Sequence, residues 1–208
     1  MEKIPFWYNP LKSFLMLLWK IIFRLEVRHA DRFPKDGAVV LACNHVSLAD
    51  PPLVGTASPR KVNIMAKQEL FVPVLGTIYR ILGAFPVKRG GADLTAIKHG
   101  IEVLKNEGCL MIFPEGTRSR TGKLGPAQPG ALMMASKARA VIVPTCIVGT
   151  DFKREHRWWP KVVVSFAEPI YFPEGPVSKD VLQGMSDEMM ARIGAEIELV
   201  KSGKQDGD

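Results

Sequence analysis

Short apolar runs recur along this chain, separated by turn residues and by stretches whose apolar positions return with helical spacing. Ala38–Cys43 follows the turn signal Asp36-Gly37 and reads as a buried strand. The same pattern predicts strands at Lys61–Ala66, Ala84–Val87, Cys109–Phe113, Val141–Val148 and Lys161–Ala167, the fifth interrupted by Pro144. Helical periodicity predicts a helix from Pro51 onward and another over Asp93–Leu104, with Leu94, Ile97, Ile101 and Leu104 on one face and Gly108 as its stop. Ala131–Ala138 reads as a short helix. Ser178–Lys201 reads as a long covering helix with the stripe Leu182, Met185, Met189, Ile193, Ile197 and Val200. Between the second and third strands, Glu69–Gly83 alternates apolar clusters with Pro73, Gly76 and Gly83, which suggests an irregular apolar helical region.

The N-terminus is apolar with cationic interruptions, and its pattern predicts a helix from about Leu11 to Leu25. On a helical wheel Lys12, Ser13, Lys20 and Arg24 gather on about a third of the circumference, and Phe14, Leu15, Leu18, Trp19, Ile22 and Leu25 cover the rest. A spanning helix wants about 20 mostly apolar residues, which this stretch does not supply. With Trp7, Tyr8 and Trp19 as interfacial aromatics, it reads as a helix lying in the headgroup region, with Trp7, Lys12, Trp19, Lys20 and Arg24 as membrane-associating residues. A core helix packed on its own domain is the competing reading. The expected organisation is a membrane-association segment, 1–27, and one domain, 28–208.

Composition narrows the class further. The 208 residues are 47% hydrophobic and 24% charged, which argues for a folded domain. A net charge of +7 points to an anionic partner: nucleic acid, membrane surface or phosphorylated substrate. Cys43, Cys109 and Cys146 are far apart, each in an apolar run, and read as buried thiols of a reducing compartment. The four histidines show no ligand spacing, so no metal is expected, and no secretory cleavage pattern follows the N-terminus.

The candidate chemistry sits at strand ends. After the first strand comes Asn44-His45-Val46-Ser47-Leu48-Ala49-Asp50-Pro51. On a regular helix five positions separate two side chains by about 140°. In a bent connection Asp50 can instead reach an imidazole nitrogen of His45, fix its tautomer and leave the other nitrogen to take a proton from an alcohol. Asp50 also fits an ordinary helix N-cap and Asn44 an ordinary turn residue. The strand Cys109–Phe113 runs into Pro114-Glu115-Gly116-Thr117-Arg118-Ser119-Arg120. Ligands gather at the carboxyl ends of strands in open α/β sheets. There Gly116 permits a tight backbone, Arg118 offers a fork of donors for phosphate, and Glu115 can orient Arg118 or accept from a substrate hydroxyl. Lys88-Arg89-Gly90-Gly91, after another strand end, is a further candidate anion site, although such a sequence is also an ordinary surface turn.

Taken together, these residues resemble the 1-acylglycerol-3-phosphate acyltransferase family, the bacterial lysophosphatidic acid acyltransferases. The paired signature is Asn44 to Asp50 with Phe113 to Ser119. Pro73, Gly76, Gly83 and the Phe85-to-Arg89 segment match the family's second block, and Val143-Pro144 with Gly149 its fourth. The resemblance runs from about residue 28 to about residue 172. It implies transfer of a fatty acyl chain from a thioester on acyl carrier protein or coenzyme A to the sn-2 hydroxyl of lysophosphatidic acid. His45 and Asp50 would be the catalytic pair, and Arg89, Glu115, Gly116, Thr117 and Arg118 would bind substrate. It also implies an α/β fold, a mostly parallel or mixed central sheet covered by helices, with an amphipathic N-terminal membrane element; an anionic membrane surface at the cytoplasmic face is the expected setting, and no cofactor is expected. Where many relatives carry lysines this chain has Gln128-Pro129-Gly130, which leaves Arg89 and Arg118 as the better phosphate candidates. Two rivals differ in class: a thioesterase or lipase using Ser47, which lacks a G-x-S-x-G elbow, and a non-catalytic lipid-binding module, which would not need a base. Nucleic acid is not expected, because the basic residues form no recognisable binding motif.

Overall fold

The computed structural model describes residues 5–73, 79–80, 83–87, 93–128, 130–152 and 160–203. Its centre is a seven-stranded sheet in the order β1-β7-β6-β2-β5-β3-β4. The strands are β1 (Glu26–Arg28), β2 (Val39–Cys43), β3 (Val62–Lys67), β4 (Ala84–Val87), β5 (Cys109–Ile112), β6 (Val141–Val148) and β7 (Val163–Phe166). β2, β3, β4, β5 and β6 run parallel, whereas β7 is antiparallel to β6 and β1 is parallel to β7. The sheet is therefore mixed, in agreement with the sequence reading. β1 was not foreseen. Its three residues, Glu26, Val27 and Arg28, are too few and too polar to show a strand pattern, and they pair with β7 across the sequence boundary drawn at residue 27.

Every residue of β2 is buried because both faces of the sheet are covered. Val39, Leu41 and Cys43 turn to one face and meet Leu53, Val54 and Ala57 of α2 (Asp50–Ala57). Val40 and Ala42 turn to the other face, which is covered by α3 (Leu94–Lys105), α4 (Gly130–Ala138) and α5 (Lys179–Ser202). Met185, Met189 and Ile193 of α5 are buried there, close to the predicted stripe. In α3 the buried line is Ala96, Gly100 and Leu104, while Leu94, expected on that face, is exposed. Asp93 caps α3 by accepting from Thr95 N and Ala96 N. Of the region predicted as irregular, Gln68–Leu70 forms a single 3-10 turn, while 74–78 and 81–82 lie outside the described residues.

The N-terminal helix α1 spans Tyr8–Phe23 and closes with Arg24 in a left-handed conformation, φ 48°. Its inner face packs on the domain: Met16, Trp19 and Phe23 join the core, Trp19 Nε1 donates to Thr56 Oγ1 at 3.3 Å, and Phe23 stacks on Phe152. Lys12 Nζ donates to the carbonyls of Ser58 and Pro59 at the end of α2. The outer face carries Phe14, Leu17 and Ile21, with Phe6 just ahead of the helix, all exposed. The assignment of faces made from the wheel is thus corrected. Trp19 and Lys12 face the domain, Tyr8 and Leu25 are buried, and Leu17 and Ile21 join Phe14 and Ile22 as exposed apolar side chains. No described helix is long and apolar enough to cross a membrane.

Candidate active site

Beyond Cys43 the chain is held by side chains instead of the strand ladder. Asn44 is buried, donates through Nδ2 to Ile147 O at 3.0 Å and accepts through Oδ1 from Ile147 N at 2.8 Å. That exchange carries the β2–β6 pairing past its last register pair, Cys43 with Thr145. It makes Asn44 a structural clamp that presents His45 at the carboxyl end of the sheet.

The loop then bends back on the first residue of α2. Asp50 is wholly buried and does not cap the helix. Its Oδ2 accepts from Val46 N and Ser47 N, each at 2.7 Å, and lies 2.8 Å from His45 Nδ1. Its Oδ1 accepts from Thr150 Oγ1 at 2.6 Å. A carboxylate removed from water needs such partners, and here four groups supply them. Because Oδ2 already accepts two backbone N–H groups, it acts as acceptor toward Nδ1–H and leaves the lone pair on Nε2. The imidazole stacks on Phe113, with ring centroids 4.0 Å apart and planes 20° apart. Nε2 has no partner among the described residues.

The second motif is tied to the same histidine. Glu115 Oε1 accepts from His45 N at 3.2 Å and Oε2 from Gly125 N at 2.9 Å. Ser119 N donates to His45 O at 2.8 Å. Gly116 has φ +71°, and a Cβ there would stand 3.1 Å from Gln128 Cγ, so the turn favours glycine in both conformation and space. Both oxygens of Glu115 accept from backbone amides, and the residue braces the two loops against each other. Among the described residues it makes no contact with Arg118. Thr117 and Arg118 project from the same loop and are exposed, and Arg118 forms no ion pair among the described residues. Arg89, with the rest of 88–92, lies outside the described residues.

Three residues of this neighbourhood were missed from sequence or misread. Thr150 is a hundred positions from Asp50, so no local spacing could have revealed it. It is delivered by Gly149, whose φ of +92° and close approach to Lys161 O exclude a side chain. Lys67 closes β3, which the sequence reading ended one residue early. It is partly exposed at the same sheet rim, 3.0 Å from Glu69. Asn44 looked like a turn residue because its partner lies on β6.

A family model described as Acyltransferase matches residues 24–148, which contain both motif loops. The chain belongs to the acyltransferase family. The 1-acyl-sn-glycerol-3-phosphate acyltransferase of Bacillus subtilis is 31% identical over 190 residues, covering 89% of this chain and 92% of that protein. The protein of the same description from Streptococcus pneumoniae is 31% identical over 160 residues, 75% of this chain and 59% of its own length. Among solved structures, the 1-acyl-sn-glycerophosphate (LPA) acyltransferase PlsC of Thermotoga maritima superposes with a TM-score of 0.71 at 28% identity, covering 93% of this chain and 79% of that one. In this acyltransferase Ser47 Oγ accepts from Ala49 N at 3.2 Å, and the His45 nitrogen nearest the loop is committed to Asp50. That arrangement speaks against Ser47 as a nucleophile activated by His45.

Proposed function

We propose that this acyltransferase moves a fatty acyl chain from a thioester, on acyl carrier protein or coenzyme A, to the sn-2 hydroxyl of lysophosphatidic acid, giving phosphatidic acid. The observation that carries the reading is the buried Asp50 fixed on His45 Nδ1 at 2.8 Å, with Nε2 unengaged among the described residues. The names of the relatives supply the acceptor class. An alcohol at neutral pH is a poor nucleophile, so the step needs a base at the attacking oxygen. Nε2 takes the hydroxyl proton as the oxygen bonds to the thioester carbonyl carbon. The tetrahedral oxyanion then collapses, the carbon–sulfur bond breaks, and the imidazolium returns its proton to the departing thiolate. Asp50 holds the ring in the needed tautomer and offsets the transient positive charge.

Arg118, exposed beside this centre, holds the acceptor phosphate, and Arg89 is its partner in the proposal. Outer-face residues Phe14, Leu17 and Ile21 of α1 rest in the interface of the membrane's cytoplasmic face, where water-soluble thioesters are supplied. The test is an acyl-transfer assay with purified protein, offering lysophosphatidic acid, other lysolipids and glycerol 3-phosphate against both thioester donors. His45→Ala should lower turnover about a hundredfold to ten-thousandfold. Arg118→Ala and Arg89→Ala should raise KM for the phosphate acceptor much more than KM for the donor. Near wild-type turnover in His45→Ala would sink the base assignment, and faster reaction with glycerol 3-phosphate would move the acceptor.

A further inference from the structure

Along α1, on the side of edge strand β1, runs a groove of about 810 Å³. Among the described residues four cations line it, Lys12, Lys20, Arg24 and Lys161, against one acid, Glu26. That acid is already engaged: Lys161 Nζ lies 2.6 Å from its Oε2 and Arg28 Nε 2.5 Å from its Oε1. The Lys161 hydrogen bond, followed by Arg28, holds the Glu26 carboxyl below its usual range. What remains among the described residues is positive charge on Lys12 and Lys20 that no carboxylate meets. Lys12 shows it most clearly, since its ammonium donates to two backbone carbonyls, Ser58 O and Pro59 O, and meets no carboxylate among the described residues. Burial lowers its pKa. An ammonium has three donors, so one is left for an anion. Beside it, the wholly buried Ser58 hydroxyl is the one buried side-chain polar atom without a hydrogen-bond partner among the described residues.

We propose that this groove binds the phosphate headgroup of an anionic membrane phospholipid, at a place separate from the acyl-transfer centre. Asp50 opens α2 and Ser58 follows its last residue, a separation of about 12 Å along the helix axis. The inference rests on the membrane-facing role of α1 proposed above. Lys20 lines the groove and is one residue from Ile21 and three from Leu17, so it borders the exposed apolar face on the helix surface. Seating that face about 5–10 Å into the headgroup boundary brings Lys20 to phosphate depth. A phosphomonoester, with up to two negative charges, matches this cation excess better than a diester with one.

Full-length protein is tested by co-sedimentation with phosphatidylcholine vesicles containing either phosphatidic acid or phosphatidylglycerol at matched surface charge. Wild type should bind the phosphatidic acid vesicles about tenfold more tightly, the effect of roughly one charge-assisted hydrogen bond. Lys20→Gln should erase that preference. Lys179→Gln, at the start of α5 and outside the groove, should leave it in place. Equal binding of the two anionic lipids by wild type, or an equal loss in Lys179→Gln, overturns the site and leaves the membrane role of α1 standing. Failure to bind any vesicle overturns both. Acyl transfer to acceptor below its micelle concentration is read separately, so a failed reaction assignment is distinguishable from a failed lipid site.

Discussion

Asp50 receives four hydrogen bonds, and only one of them comes from His45. The other three decide where the carboxylate stands, which makes Thr150 a positioning residue. Thr150→Val keeps the shape and removes the donor to Oδ1. It should lower kcat about five- to thirtyfold, as the loss of about 1–2 kcal/mol from one buried hydrogen bond predicts, while Thr150→Ser recovers most of it. KM should barely move, and a KM-dominated effect would mean that Thr150 meets substrate directly. Glu115→Gln belongs beside it. An amide offers one acceptor where the carboxylate offers two, so the bond to His45 N or to Gly125 N is lost, and kcat should fall without the selective rise in acceptor KM expected of Arg118→Ala. At this scale the sequence was informative about His45 and Asp50, because five positions across a strand-to-helix bend form a local geometric unit. It was silent about the bracing by Glu115, because the loop neighbours that donate to its oxygens are set by the tertiary fold.

The element most open to reinterpretation is α1. Periodicity predicted a helix there, yet a wheel shows only that faces exist, not which of them a neighbouring helix end will cover. The carbonyls closing α2 attract Lys12, since a cation is favoured at a helix carboxyl terminus, and this turns Trp19 inward onto Thr56. Removing the first 25 residues would therefore strip Met16, Trp19, Phe23 and Leu25 from the core, and the shortened protein should lose stability as well as membrane contact. Point changes separate the two effects. Leu17→Glu and Ile21→Glu alter side chains 58% and 60% exposed, so the unfolding midpoint should stay within about 0.5 kcal/mol of wild type while vesicle sedimentation collapses. Trp19→Ala should do the reverse, destabilising by about 3 kcal/mol or more through the cavity it leaves. Intact vesicle binding by the two glutamate variants would assign the outer face another purpose.

For the molecule as a whole, the motifs converge because parallel strands deliver their following loops to one edge of the sheet, and that much followed from sequence pattern alone. Strand order did not. β2 pairs with β6 and β5, whose residues lie about 70 to 100 positions away, and no local pattern encodes such a choice. The same central placement governs the three thiols: Cys43, Cys109 and Cys146 sit on the adjacent strands β2, β5 and β6 and are all buried. Burial pushes the Cys109 and Cys146 thiols up to about 12, and raises Cys43 well above its ordinary value with help from the Asp50 charge. A raised acid pKa means that the folded chain keeps protons which the unfolded chain releases. Folding stability should thus decline as pH rises from about 9 toward 12, by about 1.4 kcal/mol per pH unit for each thiol. Lys12 works in the opposite direction: its lowered pKa makes the unfolded chain hold a proton that the folded one has lost, and stability rises up to the ordinary lysine value. Three thiols against one such ammonium leave a net decline. Denaturant unfolding measured from pH 8 to 11 should show it, and Cys146→Ala should make the slope shallower by about one thiol's share even though the cavity lowers stability at every pH. An unchanged slope in that variant would mean that the Cys146 thiol ionises alike in both states, and that the sheet centre is wetter than its packing implies.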